Sequence, residues 1–184
     1  MENREPTGFT LVELMIVVII LGVLAAIAIP TFLRPYHYSK TAEVQALLRD
    51  IAAKEEAYKS EFGQYLNVSQ SMDFGKRRPA TAPRGDFGYV DWIPGSDPID
   101  LAWKMLGFAP QSAVRFGYVV IAGLPGTTPS GSDYSMGLAN TNDHWWAAVA
   151  YGNVDAQTVS GAGDCSQYYL SSSQNVMGVV NDLK

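Results

Sequence analysis

The sequence predicts an α+β fold: a long N-terminal helix, half transmembrane and half amphipathic, packed against a C-terminal antiparallel β-sheet head. Three observations carry that expectation. From Leu14 to Leu33, twenty residues pass without a charge, and Thr31 is the only polar side chain among them. From Ser39 to Phe62, apolar residues return at three- and four-residue steps. Past Gly63 the composition turns to glycine, proline, serine and aromatics with short β-like runs. Bulk composition agrees with a folded chain of modest size. Its 184 residues are 47% hydrophobic and 17% charged, too apolar for disorder. A net charge of −5 gives no bulk attraction to nucleic acid. One cysteine excludes an intramolecular disulfide and a zinc site with paired thiolates, and two histidines leave little for a metal cluster.

The uncharged run comes first. Twenty helical residues at about 1.5 Å each reach about 30 Å, the thickness of a bilayer's hydrocarbon. A buried core helix of that length would normally show a polar face. A cleaved secretory signal is the stronger competitor, because Ala26-Ile27-Ala28 resembles a small-residue cleavage site. Against it, Met1–Glu13 carries three acids and a single base, Arg4, where a signal is usually positive. Glu13 is the odd residue. Apolar character already begins at Phe9, so a helix starting there holds Glu13 one turn inside the apolar stretch. A charge within hydrocarbon is costly and less so near the interface. Two readings stay open: a carboxylate among lipid headgroups, or one awaiting a cationic partner from another chain.

Gly8-Phe9-Thr10-Leu11-Val12-Glu13-Leu14-Met15-Ile16-Val17-Val18, continued by Ile20-Leu21-Gly22-Val23-Leu24-Ala25-Ala26-Ile27-Ala28-Ile29-Pro30, resembles the N-terminal signature of type IV pilins and pseudopilins. The resemblance covers about twenty-five residues, and its leader is like that of the type IVa group. It implies a leader over 1–8 and cleavage between Gly8 and Phe9 by a prepilin peptidase, which also N-methylates the new Phe9 amine. The mature chain would have 176 residues (184 minus 8). It further implies that Glu13 neutralises the terminal amine of a neighbouring subunit and so sets the stagger of a filament. Type IVa pilins commonly close their C-terminal region with a disulfide, which this chain cannot make.

Beyond that segment, Pro30 lacks an N–H and should kink the helix. Gly22 and Ala26, four apart, permit close helix approach. Arg34-Pro35 suggests a break or a short non-helical joint around Leu33–Tyr36, with Ser39 capping a restarted helix. The expected division is therefore 9–33 for the transmembrane, filament-core helix, 34–62 for the amphipathic helix and 63–184 for the β-rich head. In the amphipathic part Val44, Leu47, Leu48, Ile51, Tyr58 and Phe62 form the core stripe. Glu43, Arg49, Lys54, Glu56 and Lys59 lie opposite, with Glu55–Lys59 at a helix-supporting spacing. Gly63 ends the helix. Phe87–Ile93, Phe116–Ala122, Tyr134–Ala139 and His144–Tyr151 read as strands, with possible last strands at Tyr168–Ser171 and Val176–Val180. Pro98–Phe108 reads as a short helix.

No catalytic motif appears: there is no Gly-x-Ser-x-Gly, His-Glu-x-x-His, phosphate loop or Gly-x-Gly-x-x-Gly. His144 reads as a surface histidine and Cys165 as an inert or partly buried thiol. Gly152–Gln157 faintly resembles an oxygen-ligand loop, the region where major secretion pseudopilins hold calcium. It lacks a trailing bidentate acid, so a hairpin turn is expected and no metal or other cofactor. Lys76-Arg77-Arg78 with Arg84 makes a basic cluster that reads as a solvated loop. The expectation is a non-enzymatic, structural subunit of a type IV pilus, serving motility, adhesion or DNA uptake. Its partners would be copies of itself, the peptidase, an inner-membrane platform and ATPases. It would rest in the inner membrane with a periplasmic head before joining an extracellular pilus. A periplasmic pseudopilus of type II secretion is the alternative, favoured less for want of a convincing calcium loop. A signal-anchored periplasmic enzyme or binding protein is a third reading, opposed by the Gly8-Phe9 junction and Glu13.

Overall fold

The computed structural model describes residues 9–83, 88–131, 142–153 and 165–180. Helix α1 spans Leu11–Phe62, and its helical backbone passes through Pro30, Pro35 and Ser39 without a break. The expected joint at Leu33–Tyr36 and the restart at Ser39 are not formed. Each proline removes one donor, while the hydrogen bonds on both sides of it still hold the backbone. The chain divides into two compact units, Met1–Ser39 and Lys40–Lys184. In the first, every residue from Leu11 to Ala28 is exposed, although the segment is strongly apolar.

The second unit is an α+β head. Its described residues form α2 (Pro98–Leu106) and four strands: β1 (Gly117–Gly123), β2 (Trp145–Gly152), β3 (Ser166–Ser171) and β4 (Gln174–Val180). They form an antiparallel meander in the order β1-β2-β3-β4, with Val120 opposite Ala148 and Ala148 opposite Leu170. The strand period sorts side chains onto two faces. Tyr118, Val120, Ala122, Trp146, Ala148, Ala150, Tyr168 and Leu170 join Val44, Leu48 and Ile51 of α1 in one core. Val119, Ile121, Trp145, Ala147, Val149, Tyr151 and Cys165 pack with Met72 and Phe74 on the other face. Every residue of β2 is buried as a result. The alanines of this strand keep it thin enough to be covered from both sides.

Gly63 stops α1 in the left-handed conformation (φ +77°), its N–H bonded to the Lys59 carbonyl at 2.8 Å. The expected stripe is kept at Val44, Leu48 and Ile51, whereas Phe62 is 57% exposed and stacks on Tyr58. Glu55 takes an inward place instead and is fully buried.

Two expected features of the head change. Phe87–Ile93 is not a strand; among its described residues only Val90 pairs, in an isolated bridge with Val114. Trp92 is drawn into an aromatic cluster with Trp103, Phe108 and Tyr118, and that packing replaces the pleat. The basic cluster is not a solvated loop. Arg77 lies over the Phe74 ring and donates to the Phe74 carbonyl at 2.9 Å. Arg78 exchanges backbone hydrogen bonds with Tyr118 and pairs with Asp100 at 2.6 Å and with Asp97. Asp97 in turn caps α2 by accepting the Asp100 N–H at 2.8 Å. These guanidiniums are structural clasps. Arg84 and the expected strand Tyr134–Ala139 lie outside the described residues.

Candidate assembly site at the start of the helix

The first described residues build a polar spot on an apolar helix. Phe9 is 79% exposed, and α1 begins two residues later. Thr10 takes the N-cap role. Its hydroxyl accepts the Glu13 N–H at 3.2 Å, while the Glu13 carboxylate accepts both the Thr10 N–H (2.9 Å) and the Thr10 hydroxyl (2.7 Å). This is a reciprocal capping box, which satisfies backbone donors that the first helical turn leaves free. Both Thr10 donors go to Oε2, so none of these bonds uses the lone pairs of Glu13 Oε1. The helix behind it offers only hydrocarbon: mean hydropathy over Leu11–Ala28 is 3.0. Length and composition allow that span to cross a membrane.

Of the residues singled out in the sequence, Phe9 and Glu13 fall within one turn of each other at this helix start. Gly8 lies outside the described residues, and Pro30 sits within the helical backbone. Charge counting alone passes over Thr10. Thr10-Leu11-Val12-Glu13 nevertheless spells the hydroxyl-x-x-carboxylate pattern ahead of an apolar run, and that signal was available.

The other candidates are scattered through the head. His144 is half-buried with its ring beside Asp143 (3.6 Å). Cys165 is buried against the face that also holds Tyr151 and Met72. Beyond Asn153, the loop Gly152–Gln157 lies outside the described residues. Among the described residues no group of three or more histidine, cysteine or acidic side chains is gathered as a metal site.

Comparison with known proteins gives this geometry a context. The family model for the prokaryotic N-terminal methylation motif matches residues 6–29. Type II secretion system core protein G of Aeromonas hydrophila is 31% identical over 150 residues, covering 78% of this chain and 99% of that protein. The chain belongs to the type IV pilin and pseudopilin family. Core protein G of Pseudomonas aeruginosa is another relative, 32% identical over 51% of this chain and 69% of its own length. The type IV major pilin protein PilA of Myxococcus xanthus is 40% identical over 76 residues, 41% of this chain and 34% of that pilin. No solved structure gives a significant match. Membership makes the apolar helix a membrane anchor in the precursor.

Proposed function

We propose that this chain is a structural subunit of a type II secretion pseudopilus and not an enzyme. The observation that carries the reading is the match to a secretion core protein G over 99% of that protein's length. The pilus reading is the lesser one. It is supported by a PilA relative that the chain matches over about a third of that pilin, 34%. Motility, adhesion and DNA uptake are not part of the proposal, and the working location is the inner membrane and periplasm.

In this reading the prepilin peptidase cuts between Gly8 and Phe9 and methylates the Phe9 amine. The apolar helix holds the subunit in the inner membrane until a platform and ATPases add it to the filament. The residues supply the physics of that step. A new ammonium at Phe9 and the carboxylate of Glu13 are both poorly solvated once helices pack side by side. A neighbour's ammonium placed against Glu13 relieves both, whereas a wrong stagger leaves both unpaired. Register is thereby favoured more than raw affinity. Thr10 holds the carboxylate in the meantime.

The test is a strain in which this gene is deleted. Exoproteins should accumulate in the periplasm while surface motility stays normal, and complementation should restore secretion and leave motility unchanged. Loss of motility with normal secretion would overturn the pseudopilus reading in favour of the pilus.

A further inference from the structure

We propose that Glu55 is a proton-controlled latch: its neutral carboxyl clasps the chain as it turns off α1, and loss of the proton releases Gly63–Leu66. The turn is held by side chains of the last helical turns. Glu55 Oε2 accepts the Leu66 N–H at 2.9 Å. The adjacent Glu56 accepts the Tyr65 hydroxyl at 2.8 Å and the Trp146 indole N–H at 3.4 Å. Lys59 donates to the Tyr65 hydroxyl at 3.3 Å and sits 4.5 Å over its ring. Glu56 is exposed, but Glu55 is 0% exposed. Its second oxygen, Oε1, is buried with no hydrogen-bond partner among the described residues.

That arrangement suits an uncharged acid. An ionised carboxylate here would have one backbone donor and no cation against it, and a buried charge without a counter-ion is strongly disfavoured. The groups facing it do not help. Glu56 on α1 adds a like charge, Tyr65 on the turn is a neutral phenol, and Asp143 ahead of β2 is a further acid near Tyr65. Lys59 is the cation of this set, and it is committed to the Tyr65 ring and hydroxyl. Burial is the largest influence on Glu55, opposed by the Leu66 N–H and reinforced by Glu56, and its pKa is pushed up to about 8. Once charged, the group gains most by reaching water, and the Leu66 N–H bond is the contact it gives up in doing so. Opening that turn loosens Tyr65 from Trp146, whose rings meet edge-on at 6.5 Å.

The test uses the full-length chain in detergent micelles. Carboxyl-carbon NMR should show one glutamate titrating near pH 8. Exchange of the Leu66 amide, corrected for hydroxide catalysis, should stay flat to about pH 7 and rise about tenfold by about pH 9. Glu55→Gln should abolish that rise, and Glu56→Gln should move the titration downward by removing the like charge. A Glu55 midpoint in the ordinary carboxylate range would overturn the latch. So would the same rise in Glu55→Gln, and the wild-type titration decides the matter even if that variant fails to fold.

Discussion

At the scale of single residues, Thr10 and Glu13 make separable contributions. Glu13→Gln keeps the shape of the side chain and removes its charge, so it should insert and fold normally while filament yield falls by at least about tenfold. Thr10→Val removes the hydroxyl that donates to the carboxylate and leaves the charge in place, so its yield should fall less. Both are read by electron microscopy of filaments beside membrane levels of the processed subunit, with the variant as sole copy. Normal yield from Glu13→Gln at normal membrane levels would end the counter-charge role. Phe9 and Glu13 were legible because a charge inside an apolar run stands out in any sequence. Glu55 was not, for an instructive reason. It falls on the same 44-48-51-55-58-62 spacing as the buried stripe, but its charge had it read only as an i,i+4 partner of Lys59, which the structure gives to Tyr65 instead. Burial of a lone acid depends on what the turn after Gly63 brings back to it, which no local pattern encodes.

At the scale of elements, local signals did well where an element is defined by its own period. The helix end at Gly63, helix α2 and all four described strands lie within one or two residues of where alternation and turn chemistry put them. The failures are places where tertiary contacts replaced the local pattern. Phe87–Ile93 has strand composition, yet Trp92 gains more from edge-on packing against Trp103 and Phe108, at 5.2 and 4.9 Å, than from a ladder. Arg78 looked solvated, yet its side chain is 15% exposed between two aspartates. The clasp can be tested as an element. Arg78→Met leaves Asp100, 11% exposed, without its cation. Stability should drop by about 2–3 kcal/mol, below the roughly 3–5 of a fully buried pair. Adding Asp100→Asn should restore part of the loss, because the amide oxygen can still accept the Gly95 N–H (2.9 Å) without a charge. Urea midpoints at constant slope measure both. Equal losses in the single and double variants would mean that the pair is not what holds α2.

At the scale of the whole molecule, the head carries its own two-faced core, so a chain starting at Lys40 should fold alone. It should be monomeric in solution, and its melting temperature should not change with reductant, since one cysteine cannot form an internal disulfide. Its pH dependence then follows from the buried acids. Burial raises Glu55, and burial also raises Glu43, whose carboxylate accepts the Arg115 N–H at 2.9 Å. A raised acid is bound to its proton more tightly in the folded than in the unfolded chain. Its stability is therefore fully present below about pH 4.5 and lost progressively as pH climbs to about 8. Asp97 and Asp143 act oppositely: backbone N–H donors lower them, so their contribution is present at neutral pH and fades in acid. Both are exposed, so the glutamates dominate and maximal stability should lie on the mildly acidic side. At about 1.4 kcal/mol per unit, Glu55 alone sets a ceiling of about 4–5 kcal/mol, and water reaching the charged form should reduce that to about 2–3. Urea unfolding of the head between about pH 5 and 9 should show that decline, and Glu55→Gln should remove most of it. A flat profile in the unaltered head would mean that Glu55 meets solvent or a cation in the folded state.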